Sequence, residues 1–135
     1  MKHLQLSKNF SLEEMCRTSS KLPNNPTDEA IPNLSNLVVQ VLQPLRDVMG
    51  FTINVSSGYR SPAVNKEKGG SDTSDHVKGK AADLKSQDNA AMFNYIKDNL
   101  EFDQLIWEEG NAKQPAWVHV SFREGKNRKQ VITIN

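Results

Sequence analysis

Two short alternating segments restrict this chain more than any other feature. Lys80 to Lys85 sets Ala81 and Asp83 on one face of a strand and Ala82 and Leu84 on the other. Trp117 to Phe122 turns His119 away from Val118 and Val120. His76 stands just before the first of these strands. An imidazole and a carboxylate on one short segment, completed by a distant imidazole, form the donor set of a catalytic zinc site. Three protein ligands leave a fourth position for water. Convergence of the three requires the two strands to be neighbours, with Asp83 and His119 on one face and the apolar residues on the other. A metal held in this open way acidifies water toward neutral pH, which points to hydrolysis rather than to a purely structural ion.

Size and charge narrow the partners. A chain of 135 residues is one domain by length, with room for one core. Its net charge of +1 gives no strong field to draw in nucleic acid or an anionic membrane. Arg123, Lys126, Arg128 and Lys129 cluster near the C-terminus, but Glu124 interrupts them and the cluster reads as a solvated turn. Cys16 is the single cysteine, which excludes an intrachain disulfide and a C-x-x-C metal site; it reads as a small apolar residue of the first helix. The N-terminal residues carry Leu4, Leu6 and Phe10 among polar neighbours, without the apolar run of a signal peptide, and no segment approaches membrane-spanning length. Synthesis in the cytoplasm and a monomeric state are expected. His3, close to the N-terminus, is set aside as a ligand.

The elements follow from pattern. Ser11 and Glu14 form a capping box, with Phe10 and Met15 as its staple, and start a helix running from Leu12 to about Arg17. Residues 18–32, with Pro23, Pro26 and Pro32, have no apolar period and read as a loop. Leu34, Leu37, Val38, Val41, Leu42, Leu45, Val48 and Met49 then recur at helical spacing up to Gly50, so Pro44 inside this stripe predicts a kink rather than a break. A strand over Thr52–Ser56, a short helix opened by Ser61-Pro62, a polar loop at 71–78, and a helix capped by Ser86 come next. Strands near Gln104–Glu108, Trp117–Phe122 and Gln130–Ile134 complete an α+β chain: a small antiparallel sheet with helices packed on one face.

Beyond the three ligands, the chain reads Ser-Gly-Tyr-Arg-Ser-Pro from Ser57, with Asn65, Gly69-Gly70 and Ser74-Asp75-His76 after it. Gly79, Ala81-Ala82-Asp83-Leu84, Gln104-Leu105-Ile106-Trp107-Glu108 and Trp117-Val118-His119-Val120-Ser121 follow. Over about residues 10–122 this closely resembles the zinc D-alanyl-D-alanine carboxypeptidase family, which includes D-Ala-D-Ala dipeptidases and phage L-alanyl-D-glutamate endolysins. The likeness is greatest to its small phage and prophage branch. The resemblance implies a hedgehog/DD-peptidase-like fold, zinc held by His76, Asp83 and His119, and a peptidoglycan stem peptide as substrate. Lacking an export signal, such a protein is expected to meet the cell wall after release or lysis.

The resemblance also assigns Arg60 to the active site, where a guanidinium stabilises the oxyanion formed at a carbonyl; without the motif Arg60 would read as a surface ion pair. Ser74 matches a serine that helps bind substrate, and it is equally suited to bonding the loop backbone. Tyr59, Trp107 and Trp117 are candidates for a substrate groove, or for core packing. In one respect the chain departs from its relatives. Several place an acidic residue three positions before the final histidine, where this chain has Ala116; others have a histidine where it has Trp117. The general base therefore falls to Glu108, at the end of the preceding strand, with Glu109 as the fallback. Two functions remain open: a zinc peptidase cutting at D-Ala-D-Ala or between L-Ala and D-Glu, and a catalytically weak, zinc-stabilised module that binds wall peptide.

Overall fold

A computed structural model describes residues 4–135; His3 lies outside them. The first helix, α1 (Leu12–Met15), is a single turn, shorter than the pattern suggested. Ser11 Oγ accepts the Glu14 amide proton at 3.1 Å, and Phe10 and Met15 are both buried, as a cap and staple require. The irregular stretch that follows is fixed by one side chain. Asn24 donates to the carbonyls of Cys16 (2.8 Å) and Tyr59 (3.0 Å) and accepts from the Ser61 amide (2.7 Å), tying the loop to both flanking segments.

The long helical stripe is continuous from Ala30 to Met49. It is built of α2 (Ala30–Leu37), a π-helical turn (Val38–Leu42) and α3 (Gln43–Met49), closed by Gly50 at φ 73°. Pro32, assigned by pattern to the loop, lies in the first turn of α2, where its missing N–H has no intrahelical acceptor to lose. Pro44 is tolerated by a different device. Its ring would press on the carbonyl four residues back, and the π turn widens the helix there, the Gln43 amide reaching back five residues to Val38. The helix therefore absorbs the proline as a bulge, and Leu34, Leu37, Val38, Val41, Leu42 and Leu45 remain fully buried across it.

Five strands form one sheet in the order β1-β2-β4-β3-β5, with β1 Asn54–Ser57, β2 Ala81–Lys85, β3 Gln104–Glu108, β4 Trp117–Ser121 and β5 Gln130–Ile134. All neighbours are antiparallel except β5, which runs parallel to β3. The short α4 (Pro62–Glu67) follows β1, its first turn capped by Ser61 Oγ accepting from Val64 N. Helix α5 (Asn89–Asn99) links β2 to β3; its cap is Asp88, accepting from Ala91 N at 3.0 Å, while the expected Ser86 bonds the Asp88 amide one step earlier. Val55, Ala82, Leu84, Val118, Val120 and Leu105 turn to the helices and join Met92, Phe93 and Ile96 in the core. Burying each large apolar side chain contributes on the order of 1.5–3 kcal/mol, so this face sets the register of the whole sheet. Among the described residues, no helix is long and apolar enough to cross a membrane.

Candidate metal centre

Register delivers the ligands. Asp83 on β2 lies directly opposite His119 on β4, and His119 lies opposite Ile106 on β3. Because directly opposed residues share a face, Asp83 and His119 stand together on the side away from the helices. His76 arrives from the turn before β2. The three offer ligand atoms all within 4.8 Å of one another. His119 Nδ1 is 2.9 Å and His76 Nε2 3.5 Å from the same oxygen, Asp83 Oδ1, and the two rings meet edge to face at 5.2 Å.

The donor set fits a divalent metal at the level of its supports as well. His76 Nδ1 is 2.8 Å from the Gly58 carbonyl, which can only accept, so Nδ1 donates there and Nε2 is the ring nitrogen turned to the site. Gly58 has to be glycine: a Cβ there would stand 2.2 Å from the Met15 carbonyl oxygen. Burial pushes the Asp83 carboxyl up, but hydrogen bonds and charge from His119 and His76 outweigh it and hold the group well below the usual carboxylate range. Asp83 is thus an anion at neutral pH with its side chain only 13% exposed, and two imidazoles beside it. Such a buried charge calls for a counter-cation.

Arg60 supplies part of that charge. Its Nη2 lies 3.5 Å from Asp83 Oδ2, its Nε donates to Ser57 Oγ at 2.9 Å, and its Nη1 faces Asn65 Oδ1 at 3.5 Å. Asn65 is itself buried and donates to the Ser71 carbonyl, so the guanidinium is held on two sides at the rim of the site. Ser74 Oγ accepts from the His76 amide at 3.2 Å, the backbone role available to it. Glu108 ends β3 opposite Trp117, two residues beyond Ile106 and therefore on the ligand face. Burial raises its carboxyl above the ordinary glutamate value; both histidines oppose that rise, and Asp83 and Glu109 add to it. The Ala116 amide donates to the Glu108 carbonyl at 2.9 Å, so the position that lacks an acid is tied by its backbone to the residue that carries one.

Two expectations are corrected. Tyr59, expected to touch substrate, is 2% exposed and belongs to the core, with its amide donating to the Met15 carbonyl at 2.8 Å. Of the two readings open for Trp107, groove or packing, the structure gives packing, edge to face on Phe93 at 5.1 Å. The basic cluster near the C-terminus is not simply solvated: Arg128 grips the fully buried Asp103 with two hydrogen bonds of 2.9 and 2.8 Å, and Arg123 donates to Asp75 at 2.9 Å. Sequence reading gave no role to Gly58, Ser57, Asn65, Asp75 or Arg123. The first three lie inside the Ser-Gly-Tyr-Arg stretch and its sequel, whereas Asp75 and Arg123 are joined only by the fold.

An open His–Asp–His group on the solvent face of an antiparallel sheet, backed by an arginine and a glutamate, defines a candidate metal-dependent enzyme. The chain belongs to the Peptidase M15 family, whose model matches residues 8–121. That membership supports a peptidase, and the three-residue group fits a zinc site. No curated protein matches the chain.

Proposed function

We propose that this protein is a zinc metallopeptidase that hydrolyses an amide bond in peptidoglycan stem peptides, at D-Ala-D-Ala or between L-Ala and D-Glu. The observation that carries the reading is the convergence of His76 Nε2 and His119 Nδ1 on Asp83 Oδ1, with Arg60 and Glu108 on the same side of the sheet. Zinc bound there supplies Lewis acidity, lowering the pKa of water and polarising the scissile carbonyl. Glu108 takes the proton of the attacking water and returns it to the leaving amine; its raised pKa brings it closer to the value at which both transfers are feasible. Arg60 stabilises the negative oxygen that develops as the carbonyl becomes tetrahedral, and Ser57 and Asn65 keep its fork aimed. Ser74 holds the His76 loop through the His76 amide, and its motif assigns it a part in binding substrate. The family match supports an M15 peptidase; on the motifs of the sequence the reading extends to the small phage-type branch, acting on the wall after release or lysis as a monomeric single domain.

Incubation of zinc-loaded protein with intact peptidoglycan and with a defined stem pentapeptide, read by mass spectrometry, tests this. Loss of one D-alanine identifies a carboxypeptidase, and release between L-Ala and D-Glu identifies an endopeptidase. Tightly bound zinc with neither product would leave a wall-peptide binding module in place of the enzyme.

A further inference from the structure

The turn after β4 lies outside the segment that matches the family, yet it reaches back to the ligand loop. Arg123 Nη2 donates to Asp75 Oδ1 at 2.9 Å, and Asp75 immediately precedes His76. On its other side, Arg123 Nε lies 3.2 Å from Asp103 Oδ2, out of line for a hydrogen bond. Asp103 is fully buried and is gripped by Arg128, whose backbone amide adds a third bond at 3.1 Å. The main chain runs alongside: Phe122 N donates to the Lys80 carbonyl, and Lys80 N donates to the Asp75 carbonyl, both at 2.9 Å. The loop from Asp75 to Lys80 is therefore closed on itself and fastened to the end of β4 by backbone and by one guanidinium.

We infer that Arg123 is a positioning residue of the metal centre: by bridging Asp75 and the Arg128-held Asp103, it sets the loop that presents His76 to the ion. The inference rests on His76 being a zinc ligand, as proposed above. Arginine suits the task because its planar fork can face two carboxylates at once and never loses its charge; a lysine ammonium would engage one or the other. The contacts act at one remove from the ligand, where lost supports typically lower metal affinity by about 10–100-fold.

Zinc affinity, measured by competition with a chromophoric chelator well below the unfolding midpoint, tests this, alongside the melting temperature of the metal-free protein. R123K, which keeps the charge and should fold, and D75N are each expected to weaken zinc by about tenfold or more. Combined, they should weaken it no further than the stronger single change, since both cut the same link. K126A, in the same exposed turn, serves as the control and should bind zinc as the parent does. Unchanged zinc affinity in R123K and D75N, with only a lower melting temperature, would overturn the positioning role while leaving the zinc site standing. If the parent protein itself binds no zinc, the metal reading fails first and takes this inference with it. Zinc binding without hydrolysis by the parent would overturn only the peptidase reading, and the affinity comparison would still decide the role of Arg123.

Discussion

The two faces of the sheet are made by the same strands and answer to different chemistry. On β4, Val118 and Val120 are fully buried against the helices, and His119 between them stands on the other side with its ring partly open to solvent. On β2, Ala82 and Leu84 do the same around Asp83. The apolar face fixes register through many small contributions, any one of which can be weakened. The ligand face depends on three atoms meeting near one point. Packing determines where the ligands are, but the ligands contribute little to packing, so mutations on the two faces should separate activity from stability.

The largest separation is expected from H119A. Zinc binding by equilibrium dialysis should become substoichiometric and hydrolysis should fall to background, while the far-ultraviolet dichroism stays that of a folded chain; retained stoichiometric zinc would remove His119 from the ligand set. E108Q should lower the hydrolytic rate by about 10²–10⁴-fold with zinc still bound, and should abolish the acid limb of the rate profile. In the parent that limb should lie above the ordinary glutamate pKa of about 4.3, since burial raises the group and a base works only when deprotonated. A profile that E108Q leaves unaltered would pass the role to Glu109. R60M is expected to cost about 10²–10³-fold in the same rate without displacing zinc.

Changes on the apolar face invert the pattern. L84A should destabilise the fold by about 2–5 kcal/mol in denaturant titrations, because Leu84 is fully buried next to the ligand-bearing Asp83. Below the unfolding midpoint its hydrolytic rate should be close to the parent's; a loss comparable to that of R60M would mean that the two faces are not separable. The smallest effect concerns acid stability of the metal-free protein. Asp83 has its folded pKa depressed, so it stabilises the fold above the unfolded carboxylate value of about 3.9, and that contribution is lost as pH falls below it. In D83N the stability profile should flatten over that acid range. A profile as steep as the parent's would show that another carboxylate, such as Asp103, dominates it.

The apolar face and two of the three candidate ligands, Asp83 and His119, were legible in the sequence because they are written as period-two alternation, as in Val118-His119-Val120; His76, in the turn before β2, was legible only through its motif. Boundaries set by single hydrogen bonds were not. Asp88 outcompetes Ser86 as the cap of α5, and the π turn that accommodates Pro44 leaves no mark in an apolar stripe. Tyr59 was misjudged for a related reason: it sits between two residues that serve the site, Gly58 and Arg60, and only its burial in the folded chain assigns it to the core. Asp75 and Arg123 lie 48 positions apart, and an ion pair at that separation has no local signal at all.

The pairing of β1 with β2 carries an irregularity between Val55 and Ser57: Val55 opposes Leu84, yet Ser57 opposes the very next residue, Asp83. Two residues apart on a regular strand would share a side. Across this bulge Val55 instead turns to the helices and Ser57 to the ligand face, where it holds Arg60. Without Ser56, Ser57 would follow Val55 directly and still face the ligand side by ordinary alternation. The bulge therefore contributes a bend rather than a face, and that bend aims the chain into Gly58, whose carbonyl orients His76, and into Arg60.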